Sequence, residues 1–288
     1  MKTAILTDTN SGIYLEEAQR LGIFIIAMPV IINDTTYYEG VNLTEEQLIE
    51  ALISGKKVTT SQPVIGELLD TWDKLLTEYD QIVYIPMSSG LSNSCVAAKS
   101  MALEYDEKVF VVDNHRISVT QRLSVLKARK LANLGIDGKD ICKILEKEAY
   151  NASIYVSVNT LEFLKNGGRI SPAAATIGTM LNIKPILSIQ GEKLESFTKV
   201  RGSMRKCEEK MINACKDDLS NRFPNIKQHQ VHIGGAGAGL SKQESLQWIE
   251  MLKQNFPGMD VIYNPLTASI TTHTGPGAVG IGITIDTN

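Results

Sequence analysis

Ile82-Val83-Tyr84-Ile85, followed within two residues by Ser88-Ser89-Gly90-Leu91-Ser92-Asn93-Ser94, carries the pattern on which the fold of this chain is built. Four apolar, β-favouring residues in a row read as a buried strand, and the hydroxyl-rich segment after them leads into a helix. Ala4-Ile5-Leu6 with Thr7-Asp8-Thr9-Asn10-Ser11 behind it repeats the arrangement. Phe24-Ile25-Ile26 and Val109-Phe110-Val111-Val112 are further buried-strand candidates. Between them Ile65, Leu68, Leu69, Trp72, Leu75, Leu76 and Tyr79 recur at spacings of three and four, one apolar stripe of a helix lying on a sheet. An earlier helix opens at Thr44 with Gln47 three residues on, a capping box. Strands alternating with helices imply a parallel sheet with helices on its faces. The expectation is an α/β first half with a mostly parallel sheet.

The second half reads as mixed α+β. Strands are expected at Ile154–Val158, Ile183–Ile189, Leu194–Val200, Gln230–Ile233, Val261–Tyr263 and Val279–Ile285, with a turn at Gln190-Gly191-Glu192. Helices are expected from Ser203 to Leu219 and from Ser241, where Glu244 completes a second capping box. At 288 residues the chain suits two domains, placed at 1–152 and 153–288, with no linker composition to sharpen the boundary.

Composition narrows the function classes. Hydrophobic residues make up 43% and charged residues 21%, a globular balance. The net charge of −3 lacks the basic excess of a nucleic-acid binder. The longest run without a charged or polar side chain, Leu21–Ile32, has 12 residues and contains Gly22 and Pro29, too short for a membrane span. Cys95, Cys142, Cys207 and Cys215 form no zinc spacing with the four histidines. A cytoplasmic protein without metal or cofactor is the expectation.

Three polar loops fall where strands hand over to helices, the ligand crevice of open α/β sheets: Thr7–Ser11, Thr59-Thr60-Ser61-Gln62-Pro63 and Ser88–Ser94. Taken singly, each hydroxyl reads as a helix N-cap; together they point to a shared anion site, because free amides and the helix dipole favour negative charge there. No nucleotide motif supplies the anion. Gly234-Gly235-Ala236-Gly237-Ala238-Gly239 has Leu240 where a third glycine should stand, and reads as a tight strand-to-helix turn. A serine hydrolase remains open as the alternative, with Ser89 or Ser92, His273 and Asp113 acting on an acyl substrate, although no nucleophile elbow is present. His229 and His232, three apart on an expected strand, do not share a face, and His115 sits in a loop. Gly167-Gly168-Arg169 and Thr272-His273-Thr274-Gly275-Pro276-Gly277 are glycine turns on the plain structural alternative; on the functional one, Arg169 and His273 are donors for an acidic group.

In order along the chain, Thr7-Asp8-Thr9, Thr60-Ser61-Gln62-Pro63, Ser88-Ser89-Gly90-Leu91-Ser92, Val112-Asp113, Gly167-Gly168-Arg169-Ile170-Ser171, Lys184-Pro185-Ile186-Leu187, Lys199-Val200-Arg201-Gly202 and His273-Thr274-Gly275-Pro276-Gly277 resemble the DegV family. That family of bacterial fatty-acid-binding proteins includes the B subunit of fatty acid kinase. The resemblance runs from about residue 3 to 285. It implies two α/β domains with a long-chain fatty acid held between them, Thr60 and Ser92 on the carboxylate, and His273 with Ser61 on the head-group or phosphate side. It also implies a separate ATP-dependent fatty acid kinase subunit that makes the acyl phosphate, so that this chain is a carrier and not an enzyme. Arg169 is then a candidate contact for a partner or phosphate. Lys199, Arg201, Arg205 and Lys206 read either as a second such contact or as a charge-balanced helix start before Glu208 and Glu209. The chain departs from the family's common residues at Thr9, Val64, Asn93 and Asn114, where serine, serine, glycine and serine are usual. Roughly 14 buried methylenes at about 0.8 kcal/mol each would supply on the order of 11 kcal/mol before binding costs, leaving the polar end to orient the acid.

Overall fold

The computed structural model describes residues 1–171, 174, 183–189 and 193–287. A first sheet is wholly parallel, in the order β2 (Phe24–Ile26), β1 (Thr3–Asp8), β6 (Gln81–Ile85), β7 (Val109–Val111). Its strands are the apolar runs of the sequence, buried on both faces as a parallel sheet demands. One face carries α3 (Ile65–Leu76) and α4 (Ser94–Ala102), which seat Leu68, Trp72, Leu75, Cys95 and Ala98. The other carries α1 (Leu15–Leu21), α5 (Ser118–Asn133) and α6 (Gly138–Lys147) through Ala18, Val125, Ala128, Ile141 and Leu145. A three-stranded antiparallel sheet, β4 (Thr35–Tyr38), β3 (Pro29–Ile32) and β5 (Val58–Thr60), interrupts the alternation, with α2 (Glu45–Ile53) inserted before β5. Thr44 and Gln47 close the expected capping box at the start of α2.

The second sheet is mixed and six-stranded, ordered β10 (Glu195–Arg201), β9 (Ile183–Ile189), β8 (Ala152–Ser157), β13 (Val279–Ile285), β11 (Val231–Gly237), β12 (Asp260–Pro265). Only β11 and β12 run parallel; the other neighbours are antiparallel. Its outer face is covered by α8 (Met204–Asn221) and α9 (Lys242–Asn255), the latter opened by the Ser241–Glu244 capping box. The expected turn at Gln190-Gly191-Glu192 lies outside the described residues.

Helix α5 joins the two sheets. It packs against β1 on one side and against β11 and β13 on the other. The glycines of β11 explain how. Gly234 to Gly237 belong to the strand and not to a strand-to-helix turn, which corrects the reading of this segment. A Cβ on Gly234 would stand 2.5 Å from Val119, and one on Gly282 of β13 would stand 2.7 Å from Thr120. The absent side chains let α5 lie directly on the sheet. Two further expectations are corrected here. His229 lies in a short 3-10 turn before β11, off the strand that carries His232, and His232 sits beside Asp260 on β12. The glycine turns are narrower than expected: His273 rides on α10 (Ala268–Thr274) and Gly167 ends α7 (Glu162–Gly167), while Gly168 (φ +68°), the left-handed cap of α7, Gly275 (φ +76°) and Gly277 (φ +75°) do take the conformation that only glycine adopts easily.

Candidate functional site

One face of the six-stranded sheet, the loops after β2 and β6 and the start of α5 enclose one apolar core. Met28, Met87, Leu91, Ile117 and Val119 come from the first half, and Val156, Leu164, Ile189, Leu194, Ala236 and Leu266 from the second. All eleven also line one cavity. The cavity lies beyond the carboxyl ends of β1 and β6, where an open α/β sheet leaves its crevice. Its lining is largely aliphatic, and the exceptions are Thr60, Ser61, Ser92, Ser118, Tyr155, Arg169, Ser269, His273 and Thr274.

Of the residues expected to bind, Thr60, Ser61, Ser92, Arg169 and His273 all line this one cavity, although 213 positions separate the first from the last. Thr60 ends β5, and its Oγ1 lies 2.8 Å from His273 Nε2 on α10. Burial, reinforced by the neighbouring Arg169 guanidinium, holds the His273 pKa down at about 4, so the ring is neutral at pH 7. Ser92 precedes α4, and its Oγ accepts from Ser94 N at 3.2 Å. Ser61 lines the cavity while remaining solvent-exposed, which marks the mouth.

Arg169 is part of the wall. Its Nε donates to Leu91 O at 3.3 Å and its Nη1 to Gly167 O at 2.5 Å, tying the loop after β6 to the end of α7. The second basic cluster divides. Arg205 pairs within its own helix with Glu208 at 3.8 Å and Glu209 at 3.6 Å, the charge-balanced helix start, while Lys199 and Arg201 lie on β10.

The Ser–His–Asp arrangement does not assemble. Ser89 is outside the cavity lining, and its backbone N–H donates to Asp113 Oδ1 at 3.3 Å. Asp113 also lies 3.8 Å from His115 Nδ1, whereas His273 is bonded to Thr60. A serine nucleophile needs its base oriented by the acid, and here acid and base serve different loops.

The Thr7–Ser11 loop supports the wall from behind. The wholly buried Asp8 accepts from Met87 N (2.8 Å), Asn10 N (3.0 Å) and Gln121 Nε2 (3.0 Å). Thr9 Oγ1 accepts from Met28 N at 3.1 Å. Met28 and Met87 are thereby held where they face the cavity. Burial pushes the Asp8 carboxyl up to about 6 even though these donors favour its ionised form. The departures from the family pattern stand clear of the lining. Thr9 keeps its hydroxyl, Val64 and Asn93 occupy the N-caps of α3 and α4 without a side-chain cap, and Asn114 is buried outside the cavity wall. Sequence reasoning missed the apolar lining, since Met28, Ile117 and Ala236 resemble any core residue until the two sheets are brought together.

Fold and site define an α/β protein that encloses an apolar cavity between a mixed sheet and the loops at the carboxyl edge of a parallel one, and closes it at one end with hydroxyls, a neutral imidazole and one guanidinium. Residues 2–286 match the family described as "Uncharacterised protein, DegV family", and the chain belongs to the DegV family. It is 31% identical over 286 residues to Protein DegV of Bacillus subtilis, covering 98% of each chain. A DegV domain-containing protein of Deinococcus radiodurans is 30% identical over 288 residues, again 98% of each. Among solved structures, a DegV family protein from Thermus thermophilus described for its fatty acid binding superposes with a TM-score of 0.88 at 27% identity, covering 99% of this chain and 100% of that one. Bacillus subtilis DegV, described as a fatty acid binding protein, superposes at 0.87 with 29% identity, covering 99% and 100%. Among the described residues no helix is long and apolar enough to cross a membrane.

Proposed function

We propose that this chain binds a long-chain fatty acid between two domains, 1–152 and 153–288, as a cytoplasmic carrier, and presents it to a separate ATP-dependent kinase subunit. The observation that carries the reading is the enclosed aliphatic cavity with its hydroxyls, His273 and Arg169 gathered at one end. Two similar proteins of known structure are described as fatty acid binding. The aliphatic wall supplies the affinity through methylene burial. Thr60 and Ser92 donate to the carboxylate, with His273 and Ser61 beside it, so that no buried carboxylate oxygen is left unpaired. Arg169 supplies the opposite charge.

Support for presentation to a kinase comes from Ser61, which belongs to the cavity and to the surface at once. An acid held there offers its head group to an outside catalyst while its chain stays enclosed. In the reaction a carboxylate oxygen attacks the γ-phosphorus of ATP and ADP leaves, giving an acyl phosphate. Native mass spectrometry followed by denaturing extraction tests the carrier reading. About one fatty acid per chain is expected, and a protein that is empty and refuses added acids overturns it. Trapping acyl phosphate with hydroxylamine tests the second part. Product is expected only when the loaded chain, ATP and the kinase subunit are together, and product formed equally without this chain refutes presentation.

A further inference from the structure

We propose that Gly167 is a positioning residue: its bare Cα seats the His273 ring as the neutral Nε2–H tautomer, which leaves the Thr60 hydroxyl free to donate into the cavity. The ligand end of this inference rests on the fatty-acid reading; the tautomer does not.

Gly167 ends α7, which packs on α10. A Cβ at this position would overlap His273 Nδ1 and stand 2.8 Å from Cε1 and 3.2 Å from Cγ. Glycine carries a hydrogen in that direction, so Nδ1 faces a C–H at close range. A lone pair fits against it, whereas an N–H would be driven into another hydrogen. The ring proton therefore sits on Nε2, 2.8 Å from Thr60 Oγ1, and the imidazole donates to that oxygen. Thr60 lines the cavity, and the proton of its hydroxyl is left to turn there. An imidazolium needs protons on both nitrogens, and Gly167 leaves no room for the second.

The surrounding charges do not reverse this. Of the elements packed on α10, α7 carries Glu162 and Lys165, α2 carries Glu45, Glu46 and Glu50, and β3 and β5 carry none. The charge that acts on the ring is Arg169, which opposes a second proton, as burial does. The site then takes up no proton when a carboxylate enters.

The test is the 15N spectrum of histidine-labelled full-length protein, stripped of lipid and then loaded with palmitate, from pH 5 to 8. His273 is expected to show a protonated Nε2 and a bare Nδ1 in both forms at every pH. A proton on Nδ1 in either form overturns the proposal. In parallel, G167A is expected to lower palmitate affinity at least tenfold in the wild-type background and less than twofold in the H273A background. Equal losses in the two backgrounds overturn the positioning role. If the protein refuses palmitate altogether, the carrier reading falls, while the lipid-free spectrum still decides the tautomer.

Discussion

Replacing Thr60 by valine removes one hydroxyl and keeps the β-branched shape, so it separates the head-group role from packing. In the folded protein the hydroxyl makes one half-buried hydrogen bond, 2.8 Å to His273 Nε2. Losing a neutral bond of this kind costs about 0.5–1.5 kcal/mol of stability. If Thr60 also donates to a bound carboxylate, binding loses a charge-assisted bond worth about 1.5–3 kcal/mol, which is roughly a 10- to 150-fold weaker Kd. The valine methyl leaves the aliphatic wall intact, so methylene burial is unaffected. Urea unfolding of the lipid-free protein gives the first quantity, and displacement of a fluorescent fatty acid by palmitate gives the second. The reasoning predicts a loss of affinity larger than the loss of stability. An affinity within twofold of wild type would refute Thr60 as a carboxylate donor, and a binding loss that merely tracks unfolding would make it a structural residue.

Three other outcomes follow from the geometry. Asp8 has its carboxyl raised from 3.8 to about 6 by burial, so the stability associated with its protonated form is complete below pH 3.8 and lost as pH rises through 6, about 3 kcal/mol in all; the stability difference between pH 4 and pH 8 should shrink by that order in Asp8→Asn, and an unchanged difference in denaturant midpoints would remove Asp8 from the account. Gly234→Ala forces a methyl to within 2.5 Å of Val119 and should cost about 1–3 kcal/mol by overpacking, read as a lowered urea midpoint; wild-type stability would show that α5 does not depend on this close approach. Ala236→Phe fills part of the aliphatic cavity, and each methylene excluded forfeits about 0.8 kcal/mol, so the extracted acids should shift to shorter chains; an unchanged acyl profile would place the tail elsewhere.

The parallel sheet was legible because its strands are buried on both faces, and such strands are continuous apolar runs wherever they occur. The capping boxes at Thr44 and Ser241 were legible because they are local chemistry, complete within four residues. Helix α5 was not. Buried on two sides by two sheets, it shows Ser118, Thr120, Gln121 and Ser124 among its buried residues, and no amphipathic stripe announces it. The glycines of β11 misled for a related reason: glycine signals a turn in one dimension and a close contact in three. The motif residues Thr60, Ser92, Arg169 and His273 could be picked out along the chain, but no spacing rule connects positions up to 213 apart.

What the sequence determined by itself is whatever depends on neighbours in the chain: strand and helix periods, caps, the α/β class, and the ordered motifs of a family. What only the tertiary structure decided is which of those residues share a volume. Thr60 meets His273 because the β3–β5 sheet and α10 pack together, the hydrolase triad fails because Asp113 serves a different loop, and Ser118 and Val119 join the cavity wall where glycines let α5 lie on the mixed sheet. Those outcomes turn on close packing between distant segments, a property that local propensity does not encode.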